Sequence, residues 1–172
     1  MDLARHCELC DNQIIDLKIG TTCKLNNKKP EFNKTCSKIE LNEKFEEKLK
    51  IVNANYQNIK KEKGITYLYF IIFFLISISI IAGGYLLGKY GLEKGVISTV
   101  PIIIMGVGLI FLSKPFGVLN NHKNEIAISK KKKENIDEVL NLYNIRYEMD
   151  IQFGKEIHGD KEVYIDLKIN KR

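Results

Sequence analysis

All four cysteines of this chain fall within its first 36 residues, in the pattern Cys7-x2-Cys10-x12-Cys23-x12-Cys36. Clustered thiolates are soft metal ligands, and Zn²⁺ takes four of them in a closed, tetrahedral, structural set. Cys7 and Cys10 have the spacing at which a tight turn puts two thiolates on one ion. Cys23 and Cys36 do not form a second CxxC, so structural thiols or a redox pair stay open beside zinc. In a cytoplasmic segment disulfides are disfavoured. The expected ligands are Cys7, Cys10, Cys23 and Cys36, holding one structural Zn²⁺. Such a set leaves no open position for a catalytic water. His6 adjoins Cys7 and could replace a thiolate, but it reads as exposed. His158 reads as an exposed loop residue, and His122 lies in a third, unrelated segment.

No other constellation carries chemistry. The chain has no G-x-S-x-G, HExxH, P-loop or GxGxxG motif, so no catalytic or cofactor-binding residue is expected, and the chain does not read as an enzyme. The net charge of +6 could suggest nucleic acid. Its distribution argues otherwise: residues 1–65 carry 13 Lys and Arg against 10 Asp and Glu, and residues 113–172 carry 12 against 10. The cysteine segment has scattered Lys and one aromatic, Phe32, which is not the basic-aromatic platform of a nucleic-acid binder.

The elements that must position the cysteines begin with a small β unit, in which Ile15, Leu17 and Ile19 alternate, Gly20 ends the run and Lys29-Pro30 turns. Residues 1–39 thus read as a Cys₄ zinc-ribbon-like module. Over residues 40–64, Leu41, Phe45, Leu49, Val52, Tyr56 and Ile59 recur at spacings of 4, 4, 3, 4 and 3, one apolar stripe of coiled-coil type. Gly64 reads as the joint between this helix and the next segment.

Residues 65–88 and 96–113 carry no formal charge. A bilayer core of about 30 Å needs roughly 20 apolar residues, so both read as transmembrane helices, joined by a short external turn at 89–95. Such a turn makes them antiparallel neighbours packed through small residues: Ser77, Ser79, Gly84 and Gly88 on one, Gly106 and Gly108 on the other. Gly84 and Gly88 should face the start of the second span, and Ser77 and Ser79 should lie at the depth of Gly106 and Gly108. Neither span holds an ionisable group of the kind a transport path uses. No apolar leader or cleavage site is seen in MDLARHCELCD. Lys60, Lys61 and Lys63 precede the first span, and Lys114 and Lys130–Lys133 follow the second. Both termini are therefore expected in the cytoplasm of a bacterial inner-membrane protein.

Lys114-Pro115-Phe116-Gly117 reads as a break, followed by a cytoplasmic helix over 118–144. Residues 145–172 alternate strictly in two runs around GKEIHGDK, a β-hairpin. Its apolar face needs a cover. The expected architecture is therefore a two-span antiparallel transmembrane hairpin continuing into a cytoplasmic helical stalk. At its end the β-hairpin packs on the Cys₄ module, or on the helix ends, as a small α+β head. Hairpin pairing between protomers is the alternative.

The stretch CELCDNQIIDLKIGTTCKLNNKKPEFNKTCSKIE resembles a recurrent bacterial N-terminal cysteine motif. It runs CxxC, an apolar strand ending in Gly, C-x-L, P-x-F and a last Cys. Cys7, Cys10, Gly20, Cys23, Leu25, Pro30, Phe32 and Cys36 stand at the matching positions, over about a fifth of the chain. The motif occurs ahead of transmembrane segments in bacterial membrane proteins. The resemblance implies a cytoplasmic, zinc-binding, membrane-tethered module and no activity. The expected partners are the lipid bilayer and a protein partner or further copies of the chain, with no nucleic acid. The function expected is a non-catalytic adaptor, regulator or accessory subunit. A subunit of an oligomeric pore or transport complex, and a membrane protein of the toxin-immunity kind, are the alternatives.

Overall fold

A computed structural model describes residues 3–91, 99–157 and 160–171. The chain divides into two units, one joining Met1–Gln57 to Ile128–Arg172 and the other formed by Asn58–Ala127. The described elements are α1 (Ala4–Glu8), β1 (Gln13–Asp16), β2 (Gly20–Cys23), α2 (Glu43–Lys61), α3 (Lys63–Leu86), a π-helical segment (Leu87–Gly91), α4 (Thr99–Leu142), β3 (Ile145–Ile157) and β4 (Asp160–Lys171). The protein is thus mostly helical, with two separate two-stranded antiparallel sheets.

The first unit draws one core from both ends of the sequence. Leu9, Phe45, Leu49, Ile136, Val139, Leu140 and Ile145 are buried together, and Leu41, Val52, Tyr143, Tyr147, Met149, Leu167 and Ile169 pack against them. Four residues of the apolar stripe read around α2 thus share a core with the C-terminal part of α4, beside which Asn55 Nδ2 donates to Ser129 Oγ at 3.4 Å. Burying each such side chain stabilises the fold by about 1.5–3 kcal/mol relative to exposure. Strands β3 and β4 pair in the alternation read from sequence, with Tyr147 opposite Ile169 and Met149 opposite Leu167. These four face the core. Glu148, Asp150, Asp166 and Lys168 occupy the opposite, exposed face. The register slips between Phe153 and Glu156. His158, in the predicted turn, lies outside the described residues. Asn144 takes φ 54° just after α4, a left-handed residue of the type that stops a helix and redirects the chain into β3.

The lysine tract 130–133 is not a uniformly solvated face. Lys130 pairs with Glu134 at 3.5 Å. Lys133 donates to Tyr147 Oη at 2.6 Å and to Asp137 Oδ2 at 2.9 Å. Tyr147 Oη in turn donates to Asp137 Oδ1 at 2.7 Å. Burial pulls the Lys133 ammonium down, but these hydrogen bonds outweigh it and hold its pKa above the ordinary value.

The second unit is a helical hairpin whose close contacts use glycine. A Cβ on Gly84 would lie 3.0 Å from Met105 Cγ and 3.2 Å from the Pro101 carbonyl, and one on Gly88 would lie 3.2 Å from Pro101 Cβ. Gly84 and Gly88 therefore face the start of the second apolar helix, as expected. At Gly108 a Cβ would meet Ile81 Cγ1 at 2.6 Å, whereas Gly106 has nothing within 4 Å. The register is thus about one turn away from the one expected: Gly108 meets Ile80 and Ile81, not Ser77 and Ser79. Ser77 is buried and donates to Phe73 O, and Ser79 donates to Leu75 O.

Three sequence expectations fail here. Gly64 is not a joint. The helical dihedrals persist at Glu62, where Glu62 N–H donates to Asn58 O and Thr66 N–H to Glu62 O. The break at 114–117 is absent, and the second span and the helix expected over 118–144 form the single helix α4, with Pro115 inside it. Pro115 is buried within the helix despite its missing N–H, and the next residue, Phe116, packs edge-on against Phe70 at 5.1 Å between ring centroids. The first apolar helix also runs past Gly88 to Gly91 through a π-helical turn. Most of the expected external turn and the first residues of the second span (92–98) lie outside the described residues.

Two stretches, Glu43–Gly91 and Thr99–Leu142, are long and apolar enough to cross a membrane, with mean hydropathy of 2.5 and 2.1 in their most apolar windows. Only 11 % of each window is buried within the protein. A core helix of a soluble domain would bury most of such a window.

Candidate functional site

The first unit contains a cavity of ≈ 280 Å³ whose wall includes all four cysteines together with His6, Asn12 and Phe32. Three local structures bring the thiols there. Helix α1 and the turn after it carry Cys7 and Cys10, with Cys10 N–H donating to Cys7 O at 3.0 Å. Strand β2 ends at Cys23, whose carbonyl accepts from Asn27 N–H at 2.8 Å. Cys36 lies on the connection to α2, and its N–H donates to Tyr143 Oη at 2.8 Å.

The β unit differs from its reading. Leu17 and Ile19 sit in the turn of the β1–β2 hairpin, and Gly20 opens β2 instead of ending a strand. Gly20 has φ +88°, a conformation that only glycine adopts without strain. Asp16 Oδ1 accepts from Lys18 N–H at 2.7 Å and Ile19 N–H at 3.0 Å, which closes the turn.

The four sulfurs share the cavity, and they feel one another. Burial pushes the Cys7 thiol up to about 11, and repulsion from Cys10, Cys23 and Cys36 adds to it against the opposing pull of Lys44. Lys44 Nζ donates to Cys10 O at 3.3 Å and Gln13 Oε1 at 2.6 Å, bracing the turn that carries Cys10. Glu40 N–H donates to Cys10 Sγ at 3.4 Å. Cys7 and Cys10 are buried, Cys23 and Cys36 half-buried, and all four are free thiols. Among the described residues no group of three or more His, Cys, Asp or Glu side chains stands in metal-binding geometry. The structure therefore gathers the predicted ligands on one wall without closing them around a common point.

His6 is not exposed, contrary to its reading. It is 1 % accessible, held edge-on between Phe32 at 5.1 Å and Tyr143 at 5.6 Å. The reason is α1 itself: the helix puts His6 on its inner side, and burial lowers its pKa. Its Nδ1 lies 3.1 Å from Tyr143 Oη, while its Nε2 is buried without a partner among the described residues. Asn12 Nδ2 is likewise buried without a partner among them. Sequence reasoning missed Tyr143 as a site residue. It stood in an apolar register on a helix more than 100 positions from the cysteines, and no local pattern marks its hydroxyl as a partner for them.

No family model, curated protein or solved structure matches this chain.

Proposed function

We propose that this chain is a non-catalytic protein of the bacterial inner membrane whose cytoplasmic, zinc-stabilised unit binds another protein, as an adaptor, regulator or accessory subunit. The observation that carries the reading is the gathering of four thiols on one cavity, in a unit whose core is built from both ends of the chain. Cys7, Cys10, Cys23 and Cys36 are the residues that would hold the ion, and the ion would supply a cross-link to a segment with few apolar residues of its own. Binding one ion would require the four thiols to approach one another more closely than they stand here.

The membrane part of the proposal rests on the two exposed apolar helices and on the lysines that flank them. Their buried hydroxyl, Ser77, is already satisfied within its own helix, which weighs against the pore reading. The binding part rests on the β1–β2 hairpin and the residues just after it, where Ile15, Leu17, Ile19 and Leu25 are 72 %, 102 %, 57 % and 52 % exposed. Exposed apolar side chains of that kind support a contact with a partner there.

A photo-crosslinking residue placed at position 17 of the full chain in cells tests all three parts. The proposal predicts an alkali-resistant membrane protein that gives a discrete protein adduct, lost on Cys7→Ser. Recovery in the soluble fraction, or an adduct indifferent to Cys7→Ser, would contradict it.

A further inference from the structure

The cavity contains more nitrogen than four thiols need as ligands, and the hydrogen bonds around His6 say what the extra nitrogen does. Tyr143 Oη accepts the Cys36 N–H at 2.8 Å and lies 3.1 Å from His6 Nδ1. Its own proton has one partner among the described contacts, the Nδ1 lone pair. With Nδ1 accepting, a neutral imidazole carries its proton on Nε2. That Nε2–H is buried, lies on a residue lining the cysteine cavity and has no acceptor among the described residues. Asn12 Nδ2–H, on the same cavity, is in the same state. A buried donor left unpaired costs about 1–3 kcal/mol, so two on one small cavity need an explanation.

We infer that His6 Nε2–H and Asn12 Nδ2–H are outer-shell donors to the sulfurs of a metal-bound tetrathiolate, with Tyr143 setting the imidazole tautomer. The inference rests on the metal reading above and deepens it. A divalent ion with four thiolates carries a net charge of −2, and in a confined cavity that charge must be met by N–H groups. Glu40 N–H already meets Cys10 Sγ. His6 and Asn12 supply two more donors, and Lys44 adds a nearby positive charge. His6 is thus a positioning residue and not a ligand, which makes Cys₄ the full ligand set and explains why a histidine beside a CxxC is buried against Tyr143.

The test uses the full chain in detergent, loaded with Co²⁺ and then with Zn²⁺ against a competing chelator. His6→Leu is expected to keep the wavelengths and intensity of the thiolate-to-cobalt absorption, because the ligands are unchanged. It is also expected to bind about 10–100-fold more weakly, the usual effect of losing an outer-shell partner. His6→Gln, which returns an N–H near the position of Nε2, is expected to recover most of that loss, and Asn12→Ala to weaken binding without altering the spectrum. Circular dichroism of each metal-free variant separates a folding defect from a binding one. Unchanged affinity in His6→Leu would overturn the inference. So would a loss or shift of the wild-type cobalt bands in His6→Leu, which would make His6 a ligand. A wild-type chain that binds neither ion would overturn the metal reading itself, an outcome distinct from either.

Discussion

Replacing Tyr143 by Phe removes one oxygen and leaves the ring that packs on His6. Two groups lose their partner. Cys36 is half-buried, so its N–H can turn to water and the loss there is at the low end, about 0.5–1 kcal/mol. His6 is 1 % accessible and has no other partner at Nδ1 among the described residues, so its loss is about 1–3 kcal/mol. A total near 2 kcal/mol corresponds to about a 30-fold larger population of the open state, at 1.4 kcal/mol per factor of ten. All four cysteines lie within residues 1–36, so pulse alkylation of the metal-free full chain, read at the buried Cys7 and Cys10, reports the opening of this unit and is blind to the apolar helices. Tyr143→Phe is expected to raise the alkylation rate by about that factor, with Tyr164→Phe, at an exposed hydroxyl that donates to Glu162, as a control that changes little. Rates within twofold of each other in wild type and Tyr143→Phe would refute the claim that this hydroxyl joins the C-terminal end of α4 to the cysteine cavity.

Two further outcomes are expected from the geometry. Gly108→Val forces atoms against Ile81, where a Cβ alone would stand 2.6 Å away, and should destabilise the helical unit by about 1–3 kcal/mol. Gly106→Ala meets open space and should be tolerated; thermal unfolding in detergent distinguishes the two. In the metal-free chain the Cys7 thiol titrates near 11 against an ordinary value of 9.0. The folded state holds that proton more tightly than the unfolded one. Its stabilising contribution is therefore complete below about pH 9 and falls away towards pH 11, by at most about 1.4 kcal/mol per unit. A urea midpoint followed by near-ultraviolet circular dichroism should fall across that window; a midpoint that rises there would contradict the burial of Cys7.

The elements that sequence made legible are those where a periodic pattern and a burial demand agree. The stripe from Leu41 to Val52 and the alternation of Tyr147, Met149, Leu167 and Ile169 both describe faces that the core uses. The charge-free runs likewise mark the two long apolar helices. What failed were single-residue punctuation signals. Gly64 and Pro115 usually interrupt helices, but the backbone stays helical around Glu62 and α4 runs through Pro115. The alternation of Ile15, Leu17 and Ile19 suggested a strand face, yet those side chains are exposed on a tight hairpin closed by Asp16. In the site, the cysteine spacing pointed to a common locus. The roles of His6, Asn12 and Tyr143 were not legible, because they depend on a contact between residues 137 positions apart in sequence.

Whether the four thiols hold an ion is decided by metal analysis of the full chain purified from membranes without added metal or chelator. About one zinc per chain is expected, lost in Cys7→Ser and Cys36→Ser, together with slow alkylation of all four thiols until the ion is removed. A metal-free chain whose four cysteines are equally protected before and after chelator treatment would contradict it.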